Sequence, residues 1–142
     1  MKYIVLIGRI LFSAIFLASV MNHFSANSVH YAEAKGVPMA AVLVPISGIL
    51  LLLGGLSVLL GYKAKIGAWL LVLFLVPVTL IMHTFWAETD PQMKMMQMAM
   101  FMKNISMLGG AFLITYFGAG PLSIDARMQK PQKKEEQKRM AA

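Results

Sequence analysis

Lys103 stands inside an apolar run that continues to Phe117. An ammonium in that setting faces a protein interior, reaches for lipid headgroups, or loses its proton. His23 and His83 lie near the ends of two other apolar stretches, with Asn22, Thr84 and Asn104 beside these residues in sequence. If the stretches cross a membrane in alternation, the end of the first, the end of the third and the start of the fourth meet at one depth. Lys103, His83 and His23, with Asn104 and Asn22, therefore form the candidate ligand-binding set. Lysine and histidine donate hydrogen bonds to carbonyl oxygens, and imidazole can relay a proton near neutral pH. Such a set suits a lipophilic small molecule with a carbonyl-bearing head. The structural alternative is that Lys103 snorkels to the interface and the histidines satisfy helix-end carbonyls.

Three other chemistries are weaker. Two imidazoles on different helices can ligate haem, but His23 and His83 come without a spacing motif. Thioethers bind Cu(I), and Met93, Met95, Met96, Met98, Met100, Met102 and Met107 crowd one segment. They fall on all faces of a helix, however, and methionine is also a flexible gap-filler. Neither haem nor copper is expected, and no metal site is assigned. Dinucleotide and phosphate loops, paired zinc-ligand spacings and a nucleophilic serine elbow are all missing, which argues against a self-sufficient hydrolase or flavoenzyme. Arg9 and Asp125 fall at the same end of the first and last stretches. They are expected to form an ion pair, because two charges entering low dielectric need each other.

The elements that must position these groups are helices in a membrane. Of the 142 residues, 58% are hydrophobic and 13% charged, about half the roughly 25% charged share of soluble domains. No charge occurs from Pro38 to Tyr62, and His83 is the only ionisable group from Ile66 to Ala87. Such lengths match the roughly 20 residues that cross the hydrocarbon layer. The expected fold is an all-α, four-helix transmembrane bundle with spans at about 3–24, 39–61, 66–86 and 96–117. The stretch 25–38 is expected to be a loop, and residues 125–142 a basic, disordered cytoplasmic tail. Pro45 and Pro77 interrupt spans two and three, and Gly48, Gly54, Gly55 and Gly61 mark span two as tightly packed.

Basic residues set the orientation. Lys2, Arg9, Lys63, Lys65, Arg127, Lys130, Lys133, Lys134, Lys138 and Arg139 share one side, against Lys35 and Lys94 on the other. Both termini are therefore expected in the cytoplasm. The net charge of +7 comes mostly from the tail, so it signals a membrane surface and not nucleic acid. With no cysteine, disulfides and thiolate metal sites are excluded within the chain.

Several short motifs carry a family likeness: Gly8-Arg9 with Phe16, Tyr31-Ala-Glu-Ala-Lys-Gly-Val-Pro38, Gly54-Gly55-Leu56, His83, Met100-Phe-Met-Lys-Asn-Ile105 with Gly109-Gly110, and Gly118-Ala-Gly120 before Asp125. In that order the chain resembles the bacterial DoxX family of small four-span membrane proteins. It departs at Leu51, where the family often has a glutamate, and at Val20 and His23, where a glycine and a lysine are common. The resemblance implies a bacterial inner-membrane protein acting as a membrane subunit of a quinone-linked oxidoreductase system. The alternative is a non-enzymatic membrane scaffold, or a lipid- or small-molecule-binding protein that stabilises a partner complex. Transport is a third class, though a lone lysine without an acidic partner makes a poor proton path. The expected partners are the bilayer, a lipophilic small molecule and a membrane or redox subunit.

Overall fold

A computed structural model describes residues 1–129. Among them every regular element is helical: α1 Lys2–Ser19, α2 Ala26–Ala34, α3 Ala40–Leu60, α4 Ala64–Met82 and α5 Pro91–Phe117. Two short 3-10 turns, Val20–Phe24 and Phe85–Ala87, extend α1 and α4 outward. Four of these helical segments are long and apolar enough to cross a membrane. The chain is thus a multi-pass, four-helix membrane bundle, and its even number of spans leaves residues 1 and 129 on the same side.

Local chemistry sets the ends of the elements. Asp90 caps α5 by accepting from Met93 N–H at 2.7 Å, with Pro91 in the first helical turn. The fourth helix therefore starts five residues before the expected 96. At 27 residues α5 is about 40 Å long at about 1.5 Å per residue. The stretch expected to be a loop holds α2, a nine-residue helix whose cap is Ser25 Oγ, accepting from Ser28 N–H. Its amphipathic signal is weak, so apolar periodicity does not reveal it. The basic tail from 130 to 142 lies outside the described residues, while 124–129 is helical and continues from the end of the bundle.

Packing runs α1 on α3, α3 on α4 and α4 on α5, with the 3-10 turn after α1 also lying on α3. Phe16, Val20, Leu51, Val58, Leu71 and Leu75 form the buried core. The inner half of α3–α4 is close: a Cβ on Gly54 would sit 2.8 Å from Leu71 and 2.9 Å from the Gly67 carbonyl. Small residues at such crossings let membrane helices gain contact area where no hydrophobic force drives them together. The outer halves are looser. Pro45 and Pro77 sit within α3 and α4. Lacking an N–H, Pro77 leaves the Leu73 carbonyl without its usual helical donor.

Candidate functional site

The inner end of the bundle is a polar knot. Arg9, only 4% exposed, donates from Nη1 to the Ala119 carbonyl and from Nη2 to the Leu122 carbonyl, both at 2.9 Å. Asp125 accepts from Lys63 N–H at 2.8 Å and Ala64 N–H at 3.1 Å, and its own N–H donates to the Gly61 carbonyl at 2.8 Å. The expected Arg9–Asp125 ion pair is therefore corrected. Each charge goes to backbone groups instead: the guanidinium to carbonyls of the loop leaving α5, the carboxylate to the free N–H groups at the start of α4. Helix starts carry unsatisfied N–H groups and a partial positive charge, so a carboxylate settles there. Gly61 fits between the two charges. Its φ is +66°, and a Cβ would collide with Arg9 Nη1 and Ser123. Arg9 Nε and Ser13 Oγ are buried without a partner.

The outer end is built differently. A groove of about 490 Å³ opens between α3 and α4 beneath α2. Its walls are apolar, with Leu50, Leu73, Phe74 and Ile81 among them, and His23, Asn27, Ser28, Tyr31 and Ser47 supply its polar groups. No Asp, Glu, Lys or Arg lines it. His23 reaches it because the 3-10 turn after α1 folds over Gly48, where a Cβ would stand 2.9 Å from His23 Cβ. Its ring packs edge-on to Phe74 at 5.6 Å between centroids. His23 Nδ1 lies 3.0 Å from the Ser19 carbonyl. A carbonyl only accepts, so Nδ1 carries a proton, and in the neutral ring Nε2 is left as an acceptor.

The helix α2 is tied down from two sides. Gln97 donates from Nε2 to the Tyr31 hydroxyl at 3.2 Å, and its Oε1 lies 2.8 Å from His83 Nδ1, which must donate. Lys35 donates to Glu88 at 2.9 Å, with both side chains about three-quarters buried. The hydrogen bond to Glu88 holds the Lys35 ammonium above its ordinary pKa, and partial desolvation works against it. Sequence reasoning missed Gln97 and Tyr31 as partners, because only the return of α2 toward α5 brings them together.

The five expected ligand residues do not share one site. His23 lines the groove. His83 is committed to Gln97, and Asn104 is buried in α5. Asn22 is exposed, and its carbonyl accepts from Ser25. Lys103 is exposed on α5, with Nζ 3.4 Å from Met100 Sδ and not on either imidazole. Gln97 is level with His83 at the outer end, and Gly118 lies beside Lys65 at the inner end. The rise from Gln97 to Gly118 is about 32 Å, close to the roughly 30 Å hydrocarbon thickness. Lys103 thus lies about 9 Å below the outer boundary. A lysine at the middle of a span costs roughly 2.5–3.5 kcal/mol on insertion scales, and less nearer the interface. Among the described residues no cluster of three His, Asp or Glu side chains could hold a metal ion.

Comparison with known proteins corrects the family assignment. The profile described as the SURF4 family matches residues 1–131. ER-derived vesicles protein ERV29 of Saccharomyces cerevisiae is 31% identical over 67 residues, which is 47% of this chain and 21% of that protein. The aligned part is thus about a fifth of the curated relative's length. No solved structure matches. These matches overturn the DoxX resemblance, and with it the quinone-linked oxidoreductase role that rested on it. The motifs misled for a physical reason. Gly54 and Gly55 admit Leu71 and Leu17, Gly110 admits Phe12 and Gly120 admits Val5. These glycines report how the helices of this bundle pack.

Proposed function

This chain belongs to the SURF4 family, and from that premise we propose that it is a non-enzymatic membrane protein that holds a neutral, lipid-like amphiphile in the α2–α3–α4 groove and serves as a scaffold for partners. The observation that carries this reading is the groove itself. Its volume of about 490 Å³ falls in the range of about 300–1,000 Å³ typical of small-molecule sites. Apolar walls suit an acyl or isoprenoid-like tail. The hydroxyl of Tyr31 is free to donate because it already accepts from Gln97, and His23 Nε2 is free to accept. A head bearing a hydroxyl, ester or amide complements that pair. A phosphate would meet no cation there.

The basic residues at the inner end point that end to the cytosol, by the same charge rule in a bacterial inner membrane and in the endoplasmic reticulum. Orientation therefore does not depend on which membrane houses the protein. The relative's name places that protein in ER-derived vesicles, and a carrier or scaffold fits such a setting better than an electron-transfer subunit does.

The test is lipid mass spectrometry of the full chain purified in mild detergent, beside Leu50→Trp, which fills the groove. A neutral amphiphile at about one per chain, lost in the filled variant, is the expected result. Absence of any stoichiometric species from the folded wild type would overturn the assignment.

A further inference from the structure

We propose that the outer half of α5 around Lys103 docks a transmembrane helix of another protein, one carrying an aspartate or glutamate at the depth of Lys103. This surface is separate from the groove, which lies between α3 and α4.

Charge complementarity argues for that occupant. Lys103 is exposed within a membrane-spanning helix, and among the described residues no carboxylate lies within salt-bridge distance of it. Only the thioether of Met100 approaches its ammonium. A cation at that depth is best compensated by a carboxylate arriving on a neighbouring helix. The surrounding shape admits one. Ala99 and Ser106 sit one turn to either side of Lys103, and both are exposed. Gly109, further along, has nothing within 4 Å of where a Cβ would stand. The Ser106 hydroxyl turns back to the Met102 carbonyl, which keeps it off the approaching surface. Small residues around one polar group let a second helix come close. The face also lies beside an opening in the bundle. Gly110, two turns inward on the side of Lys103, takes the Phe12 ring of α1, whereas the outer turn of α1 leaves to pack on α3.

A second copy of this chain does not meet the requirement. None of the four spans contains an Asp or Glu, so a copy would bring only another Lys103 to the same depth.

The experiment reconstitutes the full chain in phosphatidylcholine vesicles with fluorescent single-span leucine–alanine helices. Each helix carries Glu, Gln or Lys six residues in from its outer end, and association is read by energy transfer. The Glu helix is expected to bind about tenfold more tightly than the Gln helix. Lys103→Met should abolish that preference, and Lys103→Glu should shift it to the Lys helix. An unchanged thermal transition of both variants in detergent shows that they fold, and keeps this test independent of the groove assignment. Equal binding of the Glu and Gln helices overturns the proposal and leaves Lys103 to lipid phosphates. Wild-type self-association that excludes the Glu helix from this face also overturns it, by giving the face to a second copy.

Discussion

The two ends of this bundle handle polar groups in opposite ways. At the inner end, Arg9, Gly61, Ser123 and Asp125 interlock three parts of the chain, α1, the α3–α4 connection and the segment after α5, and each charge meets backbone groups that need it. At the outer end, Tyr31, Gln97 and His83 form an open chain of hydrogen bonds beside a groove that keeps free donors and acceptors. The tight end fixes the helices relative to one another. The loose end, where two prolines thin the backbone bonding, leaves room for a guest. On the proposed function, stability and binding fall to different halves of the same four helices.

Substitutions sharpen that contrast, and the largest effect is expected at Gly61. Gly61→Ala adds a side chain where φ is +66° and where Arg9 and Ser123 already fill the space. A loss above about 3 kcal/mol is expected from strain plus steric conflict, read as a collapse of the thermal transition in detergent. Next is Arg9→Met, which strips the Ala119 and Leu122 carbonyls of their donors at a cost of about 2–3 kcal/mol. Because Arg9 and Asp125 each bond to backbone groups and not to one another, a double-mutant cycle between them should give a coupling of about 1 kcal/mol or less. A coupling of several kcal/mol would mean that the two charges pair directly and that the two ends are less different than described.

Outer-end changes should behave in reverse. Tyr31→Phe is expected to cost under about 1 kcal/mol of stability yet to lower retention of the groove amphiphile severalfold, as read by mass spectrometry. A variant that unfolds the bundle while still retaining ligand would break the division of labour. The Lys35–Glu88 link gives a pH test. The Lys35 pKa is raised in the folded protein, so the link contributes stability below the ordinary lysine value and loses it as pH rises through the raised one. Spin labels on cysteines introduced into α2 and α5 of this cysteine-free chain should report α2 loosening only in strongly alkaline solution. Lys35→Met should produce the same loosening at neutral pH, at a cost below about 1 kcal/mol. The smallest effect belongs to Ser13→Ala. Its hydroxyl is buried without a partner, so removal should leave the thermal midpoint nearly unchanged or slightly raised.

The four spans were legible because unbroken apolar stretches have one stable solution in lipid. The inner boundaries came out within about two residues for the same reason. The outer features were less legible, since they arise where the chain leaves the hydrocarbon and hydropathy no longer constrains it. Asp90-Pro91 is a readable cap signal, but the polar residues Gln92 and Lys94 behind it lower the hydropathy there, so hydropathy alone starts the span later. Ser25 likewise marks α2, but nine residues with little amphipathic contrast look like a loop. The polar set was legible as residue types and depth but not as contacts. His83 lies at the outer boundary and Lys103 about 9 Å below it, and helix rotation decides which way each faces. An error of one residue, about 100° of rotation, sends a side chain to lipid instead of to a neighbour. Family likeness failed where it leaned on glycines, whose spacing answers to packing.

The length of α5 has a bearing on where the protein is at ease. Its first turns, from Pro91 to about Gln97, stand outside the lipid, and the ammonium of Lys103 waits a few ångströms inside it. A thicker bilayer would swallow those turns, with Lys94 and the amide of Gln92, and would carry Lys103 farther from water. A thinner one would release it. Burying those polar turns costs more as the bilayer thickens, so hydrophobic mismatch at the fourth helix grows with membrane thickness.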